Sequence, residues 1–203
     1  MPIFKYGRSE IEYLARADPY LGAAIERIGL IERQVNHDLF ASLAHSIVSQ
    51  QITKQAAAAI WGRVNNRLGT VTPHTVCASD PTLLRECGLS RTKAEYLIGI
   101  AEKVCCGQLN LEELKRRSDE EVIHVLTALK GVGTWTAEML LLFSLQRSDV
   151  VSWGDFAIRR GMTRLYHLDK LTRPVFDEYR SRYSPHGSVA SLYLWELSGS
   201  EDW

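Results

Sequence analysis

The chain has 203 residues, of which 45% are hydrophobic and 24% are charged, and its 24 basic side chains balance 24 acidic ones. This composition is typical of a soluble globular protein and excludes an intrinsically disordered chain. The neutral balance counts against a strongly basic nucleic-acid-binding protein. The charge is uneven, however, because residues 155–182 contain seven basic and four acidic side chains, and a local patch can serve where a basic protein is not required.

The sequence also disfavours a secreted or membrane protein and an iron–sulfur protein. Charged residues interrupt the N-terminal segment, and the longest apolar run, near residues 139–145, is about seven residues, so we expect neither a signal peptide nor a membrane span. We therefore expect an intracellular protein, in the cytoplasm or nucleoid of a bacterium or in the nucleus of a eukaryote. Four cysteines lack the spacing of a metal site, which predicts no iron–sulfur cluster: Cys77, Cys87, Cys105 and Cys106.

Helical periodicity runs through almost the whole chain, and strand alternation is almost absent. In chain order, cap residues and periodicity predict helices after residues 36–38, over 54–68, from 73, after 80, over 91–104, over 119–130, over 134–145, from 155 towards 166, around 174–183 and around 187–197. The sequence therefore predicts an all-α protein of about ten to twelve helices in two lobes.

The most informative turn is Gly131-Val132-Gly133, between two of the predicted helices. Glycine permits positive φ and close approach of a ligand to the backbone. The amides of Gly133, Thr134 and Trp135 open the next helix, where an anion such as a phosphate binds favourably. An ordinary helix corner with glycine C-caps is the alternative interpretation. The residues predicted to contact DNA here are Lys130, Gly131, Gly133, Thr134 and Thr136.

A carboxylate follows this turn at a short distance along the chain. Asp155 comes twenty residues after Trp135, and Trp153 and Phe156 lie beside it. An aspartate after a glycine is most often a helix N-cap, and Asp155 fits that role as well. A phosphate-binding turn, aromatic side chains and one acid together indicate chemistry on a nucleotide base.

These motifs resemble the helix-hairpin-helix/Gly-Pro-Asp superfamily of DNA glycosylases, whose usual hairpin is Leu-Pro-Gly-Val-Gly-x-x-Thr-Ala; Lys130 replaces the proline. Within it the chain is similar to the 3-methyladenine DNA glycosylase II type. The similarity extends to residues 40–51, in which residues 47–51 are typical, to residues 88–97 and to residues 192–195, and it covers roughly residues 36–198. At 203 residues we expect the compact form, without the N-terminal α/β domain of longer bacterial members.

The resemblance implies two helical lobes flanking a DNA-binding cleft. We expect residues 1–35 to pack as helices on the C-terminal lobe. Residues 36–146 would form the lobe that contains the helix-hairpin-helix motif, at about residues 119–146. Residues 147–203 would form the C-terminal lobe, which carries the catalytic aspartate. We expect a monomer.

The implied activity is that of a monofunctional DNA-3-methyladenine glycosylase of base excision repair. It would flip alkylated purines out of double-stranded DNA and hydrolyse the N-glycosidic bond, leaving an abasic site. Asp155 matches the family's catalytic aspartate, and a carboxylate stabilises positive charge that develops on the sugar. Lyase-competent relatives carry a lysine where this chain has Trp135, so no lyase activity is expected.

The resemblance implies part of the remaining site, and the chemistry of the residues themselves suggests the rest. The predicted base pocket contains Trp135, Phe156 and Trp195, with Met139 where an aromatic is common, and with Trp153 and Gln50. Leu68 is the predicted wedge that fills the gap left by the flipped base, and Lys93 and Arg159 are predicted phosphate contacts. No cofactor is expected for catalysis. Backbone carbonyls would bind a structural Na⁺ or K⁺ at the hairpin: those of Thr127, Leu129 and Val132.

Two alternatives remain open on the sequence alone. A non-catalytic module that binds damaged DNA would contain the same hairpin, and the role of Asp155 distinguishes it from an enzyme. A glycosylase for oxidised bases is disfavoured by Trp135 at the lysine position.

Overall fold

The computed structural model describes residues 2–200. Within these residues the regular structure is helical, and an isolated antiparallel bridge joins Ile3 to Gln34. The predicted all-α fold is confirmed. Over the same residues, no helix has both the length and the apolar character needed to cross a bilayer.

Thirteen helices are found in the described residues. The first seven are α1 (Arg8–Ala17), α2 (Pro19–Ile28), α3 (Leu39–Ser49), α4 (Lys54–Leu68), α5 (Pro73–Cys77), α6 (Pro81–Glu86) and α7 (Arg91–Cys105). The remaining six are α8 (Leu111–Leu114), α9 (Asp119–Thr127), α10 (Thr134–Phe143), α11 (Phe156–Leu165), α12 (Arg173–Tyr183) and α13 (Gly187–Gly199).

The helices belong to two compact units. The central unit is Asn36–Leu140, and the terminal unit combines the residues up to Val35 with those from Leu141 onward. The sequence places the second boundary after residue 146. The structure places it earlier because Phe143 stacks on Trp195 of the terminal unit, with ring centroids 5.5 Å apart.

Cap residues define the helices of the central unit. The side chains of Asp38 and Thr53 accept hydrogen bonds from backbone amides at the starts of α3 and α4. Helix α9 ends at Thr127, three residues before the predicted end, because the amide of Leu129 bonds to the carbonyl of Leu126 and starts the turn into the hairpin. The apolar stripes of these helices form the core, which includes Leu43, Ile47, Val64, Leu84, Leu97 and Leu126.

In the terminal unit, α1 and α2 pack with α11, α12 and α13. Helix α11 lies very close to α13, since a Cβ atom at Gly161 would overlap the carbonyl group of Leu194. Buried Asp18 caps α2 and accepts a 2.8 Å hydrogen bond from the Tyr166 hydroxyl. The close helix contact fixes α11, whose N-cap is Asp155, relative to α13, which carries Trp195.

Candidate functional site

Asp155 is the N-cap of α11, and its side chain is held by the backbone of that helix. Its Oδ1 accepts hydrogen bonds from the amides of Ala157 at 2.8 Å and Ile158 at 3.0 Å. The residue is only 7% exposed. The N terminus of a helix is a favourable place for a negative charge. The capping role expected for this aspartate is therefore present, and it fixes the orientation of the carboxylate.

A tryptophan from another helix also contacts this carboxylate. Trp195 of α13 donates a hydrogen bond from Nε1 to Asp155 Oδ1 at 3.2 Å. Phe156, the residue that follows Asp155 in the chain, is 69% exposed, although large aromatic side chains are usually buried. A carboxylate in a fixed position can stabilise a nearby positive charge. An exposed aromatic ring can stack on another planar ring.

Trp153, two residues before the acid, lies among cationic side chains. The guanidinium carbons of Arg159 and Arg173 lie 5.0 Å and 5.6 Å from the centroid of its ring, within the range of cation–π attraction. Its ring also meets Phe176 edge-on at 5.1 Å. The structure therefore places the predicted phosphate contact, Arg159, on the predicted pocket residue Trp153.

The hairpin (residues 128–133) links α9 to α10 in the central unit. Gly131 has φ +85°, a conformation that glycine permits, and a Cβ there would overlap the ring of Tyr96. Gly133 does not use the positive φ that glycine permits, since it lies outside the left-handed region. Instead, a Cβ at Gly133 would meet no atom within 4 Å, so the residue leaves open space at the start of α10.

The residues around Gly133 differ in exposure. Lys130, Gly133 and Thr134 are exposed, and Trp135 is 44% exposed. Thr136 is buried, which disfavours the contact to DNA predicted for this residue. The amides that open α10 thus lie in an exposed segment, where an anion can reach them.

The monovalent cation predicted at the hairpin would have backbone carbonyl oxygens as its ligands. The Leu129 carbonyl accepts a 3.2 Å bond from the Val132 amide. Uncharged oxygen ligands suit hard cations. Across the described residues there is no cluster of three or more His, Cys, Asp or Glu side chains able to hold a metal ion.

Two predicted ligand contacts, Lys93 and Gln50, make hydrogen bonds within the central unit. The ammonium of Lys93 donates to the carbonyls of Val48 and Gln50, and the Gln50 amide donates to the carbonyl of Gly131. These contacts join residues more than forty positions apart along the chain. No local sequence signal could have indicated them.

The predicted wedge, Leu68, is the last residue of α4 and is half-buried. A wedge must be exposed to enter DNA. The turn after α3 meets this requirement better, since Ile52 is 38% exposed and Gln51 has φ +57°. Positive φ is rare for a residue with a side chain and is often found at functional sites. Sequence reasoning missed this turn, although an apolar residue between two capped helices was a usable signal.

The other predicted pocket residues lie in separate units. Met139 is buried in the central unit, which also contains Trp135 and Gln50, whereas Trp153, Phe156 and Trp195 are in the terminal unit with Asp155. The roles of these residues in base recognition stay predictions.

An all-α fold, a glycine hairpin that opens a helix and a capping aspartate are found together in a known class of protein. Residues 44–183 match the HhH-GPD superfamily of base excision DNA repair proteins, and the chain belongs to this superfamily. One relative is DNA-3-methyladenine glycosylase 1 of Schizosaccharomyces pombe, which is 37% identical over 169 residues, or 81% of this chain and 74% of the relative. Another is the DNA-3-methyladenine glycosylase of Saccharomyces cerevisiae, 36% identical over 93% of this chain and 79% of the relative.

Solved structures of such enzymes are similar over nearly the whole chain. A DNA-3-methyladenine glycosidase of Bacillus halodurans gives a TM-score of 0.89 at 35% identity and covers 98% of this chain and 94% of its own. The 3-methyladenine DNA glycosylase of S. pombe, in complex with abasic DNA, gives a TM-score of 0.83 at 31% identity. The similarity covers 97% of this chain and 99% of the S. pombe chain.

Proposed function

We propose that this protein is a monofunctional DNA-3-methyladenine glycosylase that excises alkylated purines from double-stranded DNA. The observation that carries the proposal is the carboxylate of Asp155, fixed by two backbone amides and by Trp195. The relatives' activity and the complex of one of them with abasic DNA support the same substrate class.

The proposed chemistry needs little more than one carboxylate. Cleavage of the N-glycosidic bond builds positive charge on the sugar, which Asp155 would stabilise electrostatically. Alkylated purines are cationic and leave easily, so modest assistance suffices. The exposed ring of Phe156 would attract such a base by a cation–π interaction worth about 0.5–2 kcal/mol.

The hairpin would bind the DNA backbone. Its exposed amides at the start of α10 suit a phosphate, and Lys130 adds a positive charge. The carbonyls of Thr127, Leu129 and Val132 would hold Na⁺ or K⁺, which adds positive charge next to the phosphate. The protein would act as a monomer.

The proposal is tested by chromatography of the bases that the pure protein releases from methylated duplex DNA. Release of 3-methyladenine supports an enzyme. Tight binding to the same DNA without release would instead support the non-catalytic damage-binding alternative.

Borohydride reduction should trap no covalent complex between the protein and damaged DNA. A lyase forms a Schiff base with the sugar through a lysine, and here the corresponding residue is Trp135. The measurement is a denaturing gel of labelled DNA after reaction with borohydride, with a known bifunctional glycosylase as the positive control. A strong adduct would contradict the monofunctional assignment and favour an oxidised-base glycosylase.

Replacing Gly133 with alanine should weaken binding to duplex DNA by about tenfold without affecting folding. The added methyl group meets no atom of the protein within 4 Å, but it occupies the space through which a phosphate reaches the amides of α10. Fluorescence anisotropy with an abasic-site duplex measures the affinity. Gly62→Ala is a matched control, because its Cβ also meets no atom within 4 Å. Unchanged affinity in Gly133→Ala would contradict the proposed position of the phosphate.

A further inference from the structure

The ammonium group of Lys93 binds backbone carbonyl oxygens at the C-terminal end of α3. Its Nζ donates hydrogen bonds to the carbonyl oxygen of Val48 at 2.9 Å and to that of Gln50 at 2.6 Å. The last carbonyls of a helix have no donor within the helix and lie at its negative end, so a cation there is favourable. Two of the three N–H groups of the ammonium are thereby used. Burial lowers the pKa of Lys93, consistent with a side chain drawn into the unit.

The residue that follows α3 continues this chain of contacts to the hairpin. Gln50 is the C-cap of α3, and its side-chain Nε2 donates a 2.8 Å hydrogen bond to the carbonyl oxygen of Gly131. This bond fixes the peptide that joins Gly131 to Val132. Gly133 follows Val132 directly and precedes the first residue of α10.

Helix α7 supports the hairpin from a second direction. Tyr96 lies one helical turn after Lys93, and its ring is so close to Gly131 that a Cβ there would overlap it. Helix α7 therefore touches the hairpin directly through Tyr96 and indirectly through Lys93, α3 and Gln50. All of these residues belong to the central unit.

We propose that Lys93 and Gln50 are positioning residues for DNA binding. Lys93 fixes the end of α3, α3 places Gln50, and Gln50 holds the Gly131 peptide so that the amides of Gly133 and Thr134 point towards a phosphate. This inference rests on the proposed function, because it assigns the hairpin to DNA binding. It replaces a direct contact between Lys93 and DNA with an indirect effect through the hairpin.

The test compares Lys93→Met, which keeps the length of the side chain without its charge, with Gln50→Ala and with the double variant. Affinity for a duplex with an abasic-site analogue is measured by anisotropy between about 50 and 200 mM salt. All measurements are made well below the melting temperature of each variant. Arg91→Met is the matched control on α7, since the Arg91 side chain is exposed and pairs with Glu95 on the same helix at 2.8 Å.

Each single variant should bind DNA about tenfold more weakly than wild type. The affinity of the double variant should be within about twofold of the affinity of either single variant. The slope of log affinity against log salt should stay at the wild-type value, because no phosphate contact is lost.

Three results would overturn the inference. A direct phosphate contact by Lys93 would lower the salt slope by about 0.9 in Lys93→Met alone. A purely structural role would lower the melting temperature with no change in affinity. Independent roles would make the two losses multiply in the double variant. Wild-type protein that neither binds DNA nor releases base would overturn the proposed function itself, whereas these three results concern only the two positioning residues.

Discussion

Asp155→Asn should slow base release from methylated duplex DNA by about a thousandfold. At about 4 Å and an effective dielectric constant near 20, a carboxylate stabilises a positive sugar by roughly 4 kcal/mol, which corresponds to about that factor in rate. Asparagine is an equally good N-cap, and its carbonyl oxygen can accept the bonds that Ala157, Ile158 and Trp195 donate to Asp155. Folding should therefore be preserved.

The measurement is the single-turnover rate of release, together with the melting temperature and the affinity for abasic-site DNA. Asp80→Asn is the matched control, because Asp80 caps α6 through a 2.7 Å bond from the amide of Thr82 and takes no part in the proposed chemistry. If Asp155→Asn releases base at the wild-type rate, Asp155 is only a cap, and the catalytic role proposed for its carboxylate is wrong.

Gly161→Ala should be the most destabilising single-methyl change in the terminal unit. The new Cβ would overlap the backbone carbonyl of Leu194, which no side-chain rotation can relieve, so α11 and α13 must move apart. Overpacking of this kind costs about 3 kcal/mol, which lowers the melting temperature of a chain of this size by roughly 6–12 °C. Base release should fall too, because Asp155 caps α11 and Trp195 lies on α13.

Calorimetry or circular dichroism measures the change in melting temperature. Gly99→Ala is the control, since Gly99 lies inside α7 and its Cβ would meet no atom within 4 Å. Alanine should be neutral or slightly stabilising there. A melting temperature for Gly161→Ala that matches wild type would contradict the close contact between α11 and α13.

Local signals in the sequence predict helices well. The bounds of α4, Lys54–Leu68, match the prediction because Thr53 caps its start and Gly69, at φ +70°, ends it. Prediction is less accurate where the chain leaves a helix without a strong breaker. Helix α10 ends at Phe143, two residues before the predicted end, and the amide of Arg147 bonds to the carbonyl of Leu141.

The candidate site is predictable only in part, because some of its contacts join residues that are far apart in the chain. The hairpin and Asp155 are contiguous motifs, so the sequence could indicate them. The hydrogen bond from Trp195 to Asp155 joins residues forty positions apart, and the bonds of Lys93 depend on how α7 packs against the end of α3. Periodicity shows that these helices exist but does not show which of their side chains meet.

The most direct test of the central claim is to count the products formed on methylated duplex DNA. After incubation with the pure wild-type protein, free bases are measured by chromatography, and strand breaks are measured before and after treatment with alkali. We predict free 3-methyladenine and an equal amount of breaks that appear only after alkali. Intact methylated DNA would contradict glycosylase activity, and breaks that form before alkali would contradict a monofunctional enzyme.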